Sequence, residues 1–91
     1  MTLRYARHPE LRLTALEGEG VALHLGTRRY YTVNESGLDL LEALAAPKTL
    51  EELVAVLTAK YDVTAAQAEA TTRAFIERGV ATGTLTVEEE R

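Results

Sequence analysis

The sequence predicts an α+β domain: a three-stranded antiparallel sheet followed by three helices, in the order β-β-β-α-α-α. Two observations carry this. Over residues 11–33 the apolar residues recur with period two and are broken by short glycine-containing turns. From Asn34 onward the period changes to that of a helix, with capping residues at the expected starts. A sheet of this kind has one face to bury, and the helices must cover it.

The strands come first. "LRLTAL" alternates Leu11, Leu13 and Ala15 against Arg12 and Thr14, and "EGEG" at 17–20 supplies a hairpin turn. "VALHL" is expected to bury Val21, Leu23 and Leu25, leaving Ala22 and His24 on the exposed phase. After a turn at Gly26, "RYYTV" puts Tyr31 and Val33 on one face and Tyr30 and Thr32 on the other. The order one-two-three leaves this third strand at an edge, with an outer row of unpaired N–H and C=O groups.

The helices follow. Asn34 is a good N-cap for a helix with Leu38, Leu41, Leu44 and Ala45 on one face, stopped by Pro47. Thr49 with Glu52 is a capping box for a second helix whose stripe is Leu50, Leu53, Val54, Leu57 and Tyr61. Thr64 with Gln67 is another, for a third helix. Its narrow apolar arc holds Ala68, Thr72, Phe75 and Gly79, flanked by Ile76 and Val80, and Gly83 suits the C′ position. The segment that holds His8 before Pro9 is expected to be mobile and 86–91 to be a frayed, solvated tail, around a single domain spanning 1–91 with its core at about 10–85.

Composition narrows the function. The 91 residues include no cysteine, which removes thiol catalysis, cysteine zinc sites and structural disulfides. Hydrophobic residues make up 46%, enough for one small core. No run approaches a membrane span, and the start has no signal-peptide core, so a cytoplasmic protein is expected. A net charge of −4 and a pI near 5.1 argue against nucleic acid as a partner. His8 and His24 are isolated, Ser36 has no nearby base, and "GEG" and "GTG" lack the strand-to-helix context of a phosphate loop. With no nucleophile–base pair, the chain reads as a binding module without catalytic residues, metal or cofactor.

The ordered features resemble the PqqD-like family, the RiPP recognition elements, whose fold is winged-helix-like. The resemblance rests on Tyr31-Thr32-Val33-Asn34 at the third strand and on "SGLDLLEAL" in the first helix. It continues through Thr49 to Val63, then Phe75-Ile76 and Gly83-Thr84-Leu85. Thr71-Thr72 stands where Asp-Val is common in the family, and Thr84 is a second departure. The run Arg29-Tyr30-Tyr31 is most similar to the discrete proteins of lasso-peptide biosynthesis. The resemblance implies that a precursor's leader peptide, of Tyr-x-x-Pro-x-Leu type, adds as a strand beside strand three and lies against helix three. It implies contacts with Arg29, Tyr30, Tyr31, Thr32 and Val33 on the strand. On the helix it implies Ala68, Glu69, Thr72, Arg73, Phe75 and Ile76, with Ile76 at the edge of the stripe. The implied partners are a separate leader peptidase and a cyclase. The alternative within the family is a peptide chaperone for a radical enzyme in the pyrroloquinoline quinone pathway or another RiPP pathway. Outside it stand a winged-helix DNA-binding domain and a subunit that dimerises through strand three.

Overall fold

The computed structural model describes residues 2–90. It contains the three-stranded antiparallel sheet followed by three helices, and a second, two-stranded sheet at the chain ends. The elements are β1 (Thr2–Arg7), β2 (Leu11–Leu16), β3 (Glu19–His24), β4 (Arg29–Asn34), α1 (Glu35–Ala43), α2 (Leu50–Lys60), α3 (Ala65–Thr82) and β5 (Leu85–Glu90). One sheet has the order β2-β3-β4, and the other is β1 paired with β5.

All three helix starts follow local chemistry. The Asn34 side chain accepts from the Gly37 N–H at 2.9 Å. Thr49 and Glu52 close one capping box, and Thr64 and Gln67 close the other. Each satisfies two N–H groups that the helix leaves without partners. At the far end of α3, Gly83 takes the left-handed conformation at φ 80°, and the Thr84 N–H returns to the Gly79 carbonyl at 2.9 Å.

The sheet differs from expectation in the phase of β3. Register pairs Leu13 with Ala22 and Ala22 with Tyr31, so Gly20, Ala22 and His24 share the core face with Leu11, Tyr31 and Val33. Val21 and Leu23 lie on the other face, half-buried. The cause is the closeness of α1. A side chain at Gly20 would place its Cβ 2.7 Å from Leu38 Cδ1. Only small residues on β3 let the helix approach this near, so the phase with the larger side chains turns outward.

His24 is therefore buried, 5% exposed, rather than an exposed surface histidine. Its Nδ1 accepts from the Gly26 N–H at 3.1 Å and the Thr27 N–H at 3.3 Å, holding the turn that feeds β4. Its ring lies 4.4 Å from that of His8. His8 is also fixed: its N–H donates to the Thr84 carbonyl at 2.9 Å, and its Nδ1 accepts from the Glu10 N–H at 3.0 Å.

The expectation of mobile ends is corrected as well. Residues 2–7 form β1, antiparallel to β5, with Tyr5 opposite Val87 and Arg7 opposite Leu85. Tyr5 also exchanges two backbone hydrogen bonds with Lys48. The residues expected to fray are thus a paired strand as far as Glu90, and Arg91 lies outside the described residues.

The core gathers Leu40, Leu41, Leu44, Leu53, Leu57, Ala68, Ile76 and Leu85 between helices and sheet. One contact within it sets the chain's path. A Cβ at Gly79 would fall 2.5 Å from Leu85 Cγ and 2.6 Å from its Cδ1. Gly79→Ala should gain about 1 kcal/mol of helix propensity. Overpacking against Leu85 costs about 1–3 kcal/mol, and the clash is with the branch point of the side chain, not its flexible tip. We expect net destabilisation in urea unfolding. An alanine variant more stable than the parent would show that α3 and β5 are not so close.

Candidate functional site

β4 is hydrogen-bonded to β3 on one side, and no described strand pairs with the other. Alternate residues of an antiparallel strand turn their N–H and C=O groups to the free side, so this edge offers a template for a further strand. Beside it runs α3. Between the two lies a groove of about 280 Å³. Tyr30, Tyr31, Thr32 and Val33 form one wall. Phe75, Arg78, Gly79 and Thr82 form the other, over a floor that includes Ala22 and Leu41. The Tyr31 hydroxyl donates to the Thr82 carbonyl at 3.4 Å, tying strand to helix across the groove.

The groove does not stop at the end of β4. Phe75 and Arg78 also line a second hollow with Asn34, Ser36, Gly37, Thr71 and Ala74. Asn34, Ser36 and Thr71 are shared in turn with a third, of about 340 Å³, walled by Glu35, Leu57, Tyr61, Val63, Gln67 and Ala68. The three make a furrow along α3, mostly apolar, with small residues Thr71, Ala74 and Gly79 giving it room. The wall of the third hollow is braced by Asp39. Its carboxylate accepts from the Tyr61 hydroxyl at 2.5 Å and pairs with Lys60 at 2.9 Å. Burial works to raise Asp39, but hydrogen bonds from Tyr61 and Lys60 outweigh it and hold the carboxyl below its usual range. Hydrogen bonding to Asp39 pushes the Tyr61 phenol and the Lys60 ammonium up.

The residues expected from sequence divide between this furrow and elsewhere. Tyr30, Tyr31, Thr32, Val33 and Phe75 come together at the groove, with Tyr30 71% exposed. Arg29 is exposed at the start of β4. Ile76 does not lie at an open edge: it is 8% exposed and belongs to the core. Thr72 is fully buried, and Ala68 is buried at the far hollow. Glu69 and Arg73 pair with each other at 2.8 Å on the exposed surface of α3. Sequence reasoning missed Thr71, Ala74, Arg78, Gly79 and Thr82 as lining residues. At about 100° per residue, the stripe 71-75-78-82 is offset by about 85° from the buried stripe 68-72-76-79. Its threonines and arginine gave hydrophobicity nothing to register.

Among the described residues no group of three or more His, Asp or Glu is placed to hold a metal. No described helix is long and apolar enough to cross a membrane. The furrow's chemistry is that of recognition: an unpaired backbone edge, apolar hollows and a few polar groups.

Comparison with known proteins agrees. The model of the family described as coenzyme PQQ synthesis protein D (PqqD) matches residues 19–85. The structure of TbiB1 in complex with the TbiA(beta) leader peptide superimposes with a TM-score of 0.79 at 25% identity, covering 88% of this chain and 93% of that one. Lasso peptide synthetase B1 complexed with the leader peptide superimposes with a TM-score of 0.75 at 18% identity, covering 90% and 96%. No curated protein sequence matches the chain.

The position of Thr72 can be tested directly. Its Oγ1 is buried with no hydrogen-bond partner among the described residues. An unsatisfied buried hydroxyl costs about 1–3 kcal/mol, and valine keeps the shape. Thr72→Val should raise the urea midpoint without altering any ligand bound in the furrow. A lower midpoint would mean that the hydroxyl has a partner.

Proposed function

The chain belongs to the PqqD family, and we propose that it binds the leader peptide of a ribosomally made precursor and presents it to separate enzymes of a lasso-peptide pathway, a leader peptidase and then a cyclase. The observation that carries this is the free edge of β4 beside a furrow with apolar hollows. Two fold relatives are, by their descriptions, complexes with leader peptides. The leader adds as a strand antiparallel to β4. Its backbone pairs with the edge, and alternate side chains enter the furrow. The chain itself supplies no catalysis.

Magnitudes indicate where specificity lies. About four to six backbone hydrogen bonds contribute about 0.5–1.5 kcal/mol each, and any peptide sequence can make them. Each apolar anchor buried in a hollow contributes about 1.5–3 kcal/mol. Association costs about 4–15 kcal/mol, so edge pairing alone is weak and the anchors decide which peptide stays. A leader of Tyr-x-x-Pro-x-Leu type suits this division, with tyrosine and leucine as anchors and proline stiffening the segment between them.

Phe75 lines both the groove and the hollow beyond it. Phe75→Ala should weaken a synthetic Tyr-x-x-Pro-x-Leu leader peptide at least tenfold by fluorescence anisotropy. Arg73→Ala, away from the furrow, should leave affinity unchanged. The reverse pattern would move the site to the other side of α3, and no binding to the parent protein would remove the leader reading.

A further inference from the structure

Among the residues lining the groove and the hollow next to it, Arg78 is the charged one, and it lines both. The rest of that surface is aromatic, aliphatic, threonine, serine, asparagine or glycine. Arg29, exposed at the start of β4, lines neither hollow, and two cations on the helices are held in ion pairs. Arg73 is held by Glu69 at 2.8 Å, and Lys60 by Asp39 at 2.9 Å and Glu35 at 3.7 Å. The Arg78 guanidinium has no ion pair with a described carboxylate.

A cation near a helix C-terminus is favoured for the helix dipole alone, and Arg78 is one turn from the end of α3. That accounts for an arginine at this level of the helix, not for its place on the stripe facing β4. Resting on the leader-binding reading, we infer that Arg78 selects a carboxylate: an aspartate or glutamate of the leader whose side chain points into the furrow beside the apolar anchor at Phe75. A strand sends every second side chain to the same side, at a spacing of about 6.6–7 Å. A peptide on β4 can therefore seat an apolar residue against Phe75 and place a neighbouring inward side chain within reach of the guanidinium. Arginine presents a planar fork of donors matched to a carboxylate.

The chain's net charge of −4 works the other way at long range, attracting basic peptides. The two effects separate by distance. The global charge acts on encounter and is screened beyond about 8–10 Å, whereas Arg78 acts on the docked strand. A leader suited to both is basic outside the docked segment and acidic at one inward position within it.

The probes are synthetic Tyr-x-x-Pro-x-Leu peptides on an alanine–glutamine background, with Glu, Gln or Lys placed in turn at each position outside the motif. Affinities are measured for the parent protein, Arg78→Gln and Arg78→Glu. Arg78 is exposed, so both variants should keep the parent's circular dichroism and melting. At one inward position Glu should bind at least fivefold more tightly than Gln, and Lys more weakly. The preference should vanish in Arg78→Gln and turn to Lys in Arg78→Glu. Equal affinities at every position, or a Glu preference that survives in Arg78→Glu, would overturn the inference while leaving leader binding intact. Peptides that do not bind the parent protein at all would overturn both.

Discussion

The groove depends on the space that Gly79 leaves for Leu85. With the leucine filling the place a side chain would take, α3 and β5 cross at near-contact distance. The chain then turns through Gly83 and runs back as β5 to meet β1. Gly79 itself lines the groove beside β4, so the stretch of α3 held in place by this contact is also the groove's helical wall. The same economy of volume recurs on β3, where Gly20 admits Leu38. Close approach at glycines on two elements lets a small domain bury its leucines without covering the β4 edge.

The edge itself is held by local and distant bonds. The β3–β4 turn is fixed from inside by His24, whose ring rests near His8 from the β1–β2 connection. Tyr31 reaches from β4 to the last turn of α3. The strand is thereby anchored at its start and on its inner face, while no described strand pairs with its outer backbone. A template held rigid lowers the ordering cost of strand addition, because only the peptide must give up freedom.

Much of this was legible in the sequence because it is local. Caps at Asn34, Thr49 and Thr64 and the glycine stop at Gly83 act over three or four residues, so each helix could be placed from its own neighbourhood. What failed depends on what lies across the fold. The inward phase of β3 is the one with the small residues, since α1 sits against it, and a reading that seeks the largest side chains picks the other phase. β1 and β5 are polar segments some 80 residues apart that support each other, and neither has a local sign of its pairing. On α3 the periodicity found a stripe but not its partner: Thr72 and Ile76 face the core, while Thr71, Phe75, Arg78 and Thr82 flank the furrow. The strand half of the candidate site was readable because an edge follows from strand order; the helix half needed the rotation of α3.

The central claim is that a leader peptide becomes the next strand on β4. Amide hydrogen exchange, followed residue by residue by NMR with and without a Tyr-x-x-Pro-x-Leu leader peptide, tests it most directly. The account predicts new protection at alternate amides of β4, those pointing away from β3, with cross-strand contacts in antiparallel register to the peptide. Protection confined to the outer face of the sheet or to β1 and β5, with the outward amides of β4 exchanging as before, would contradict it.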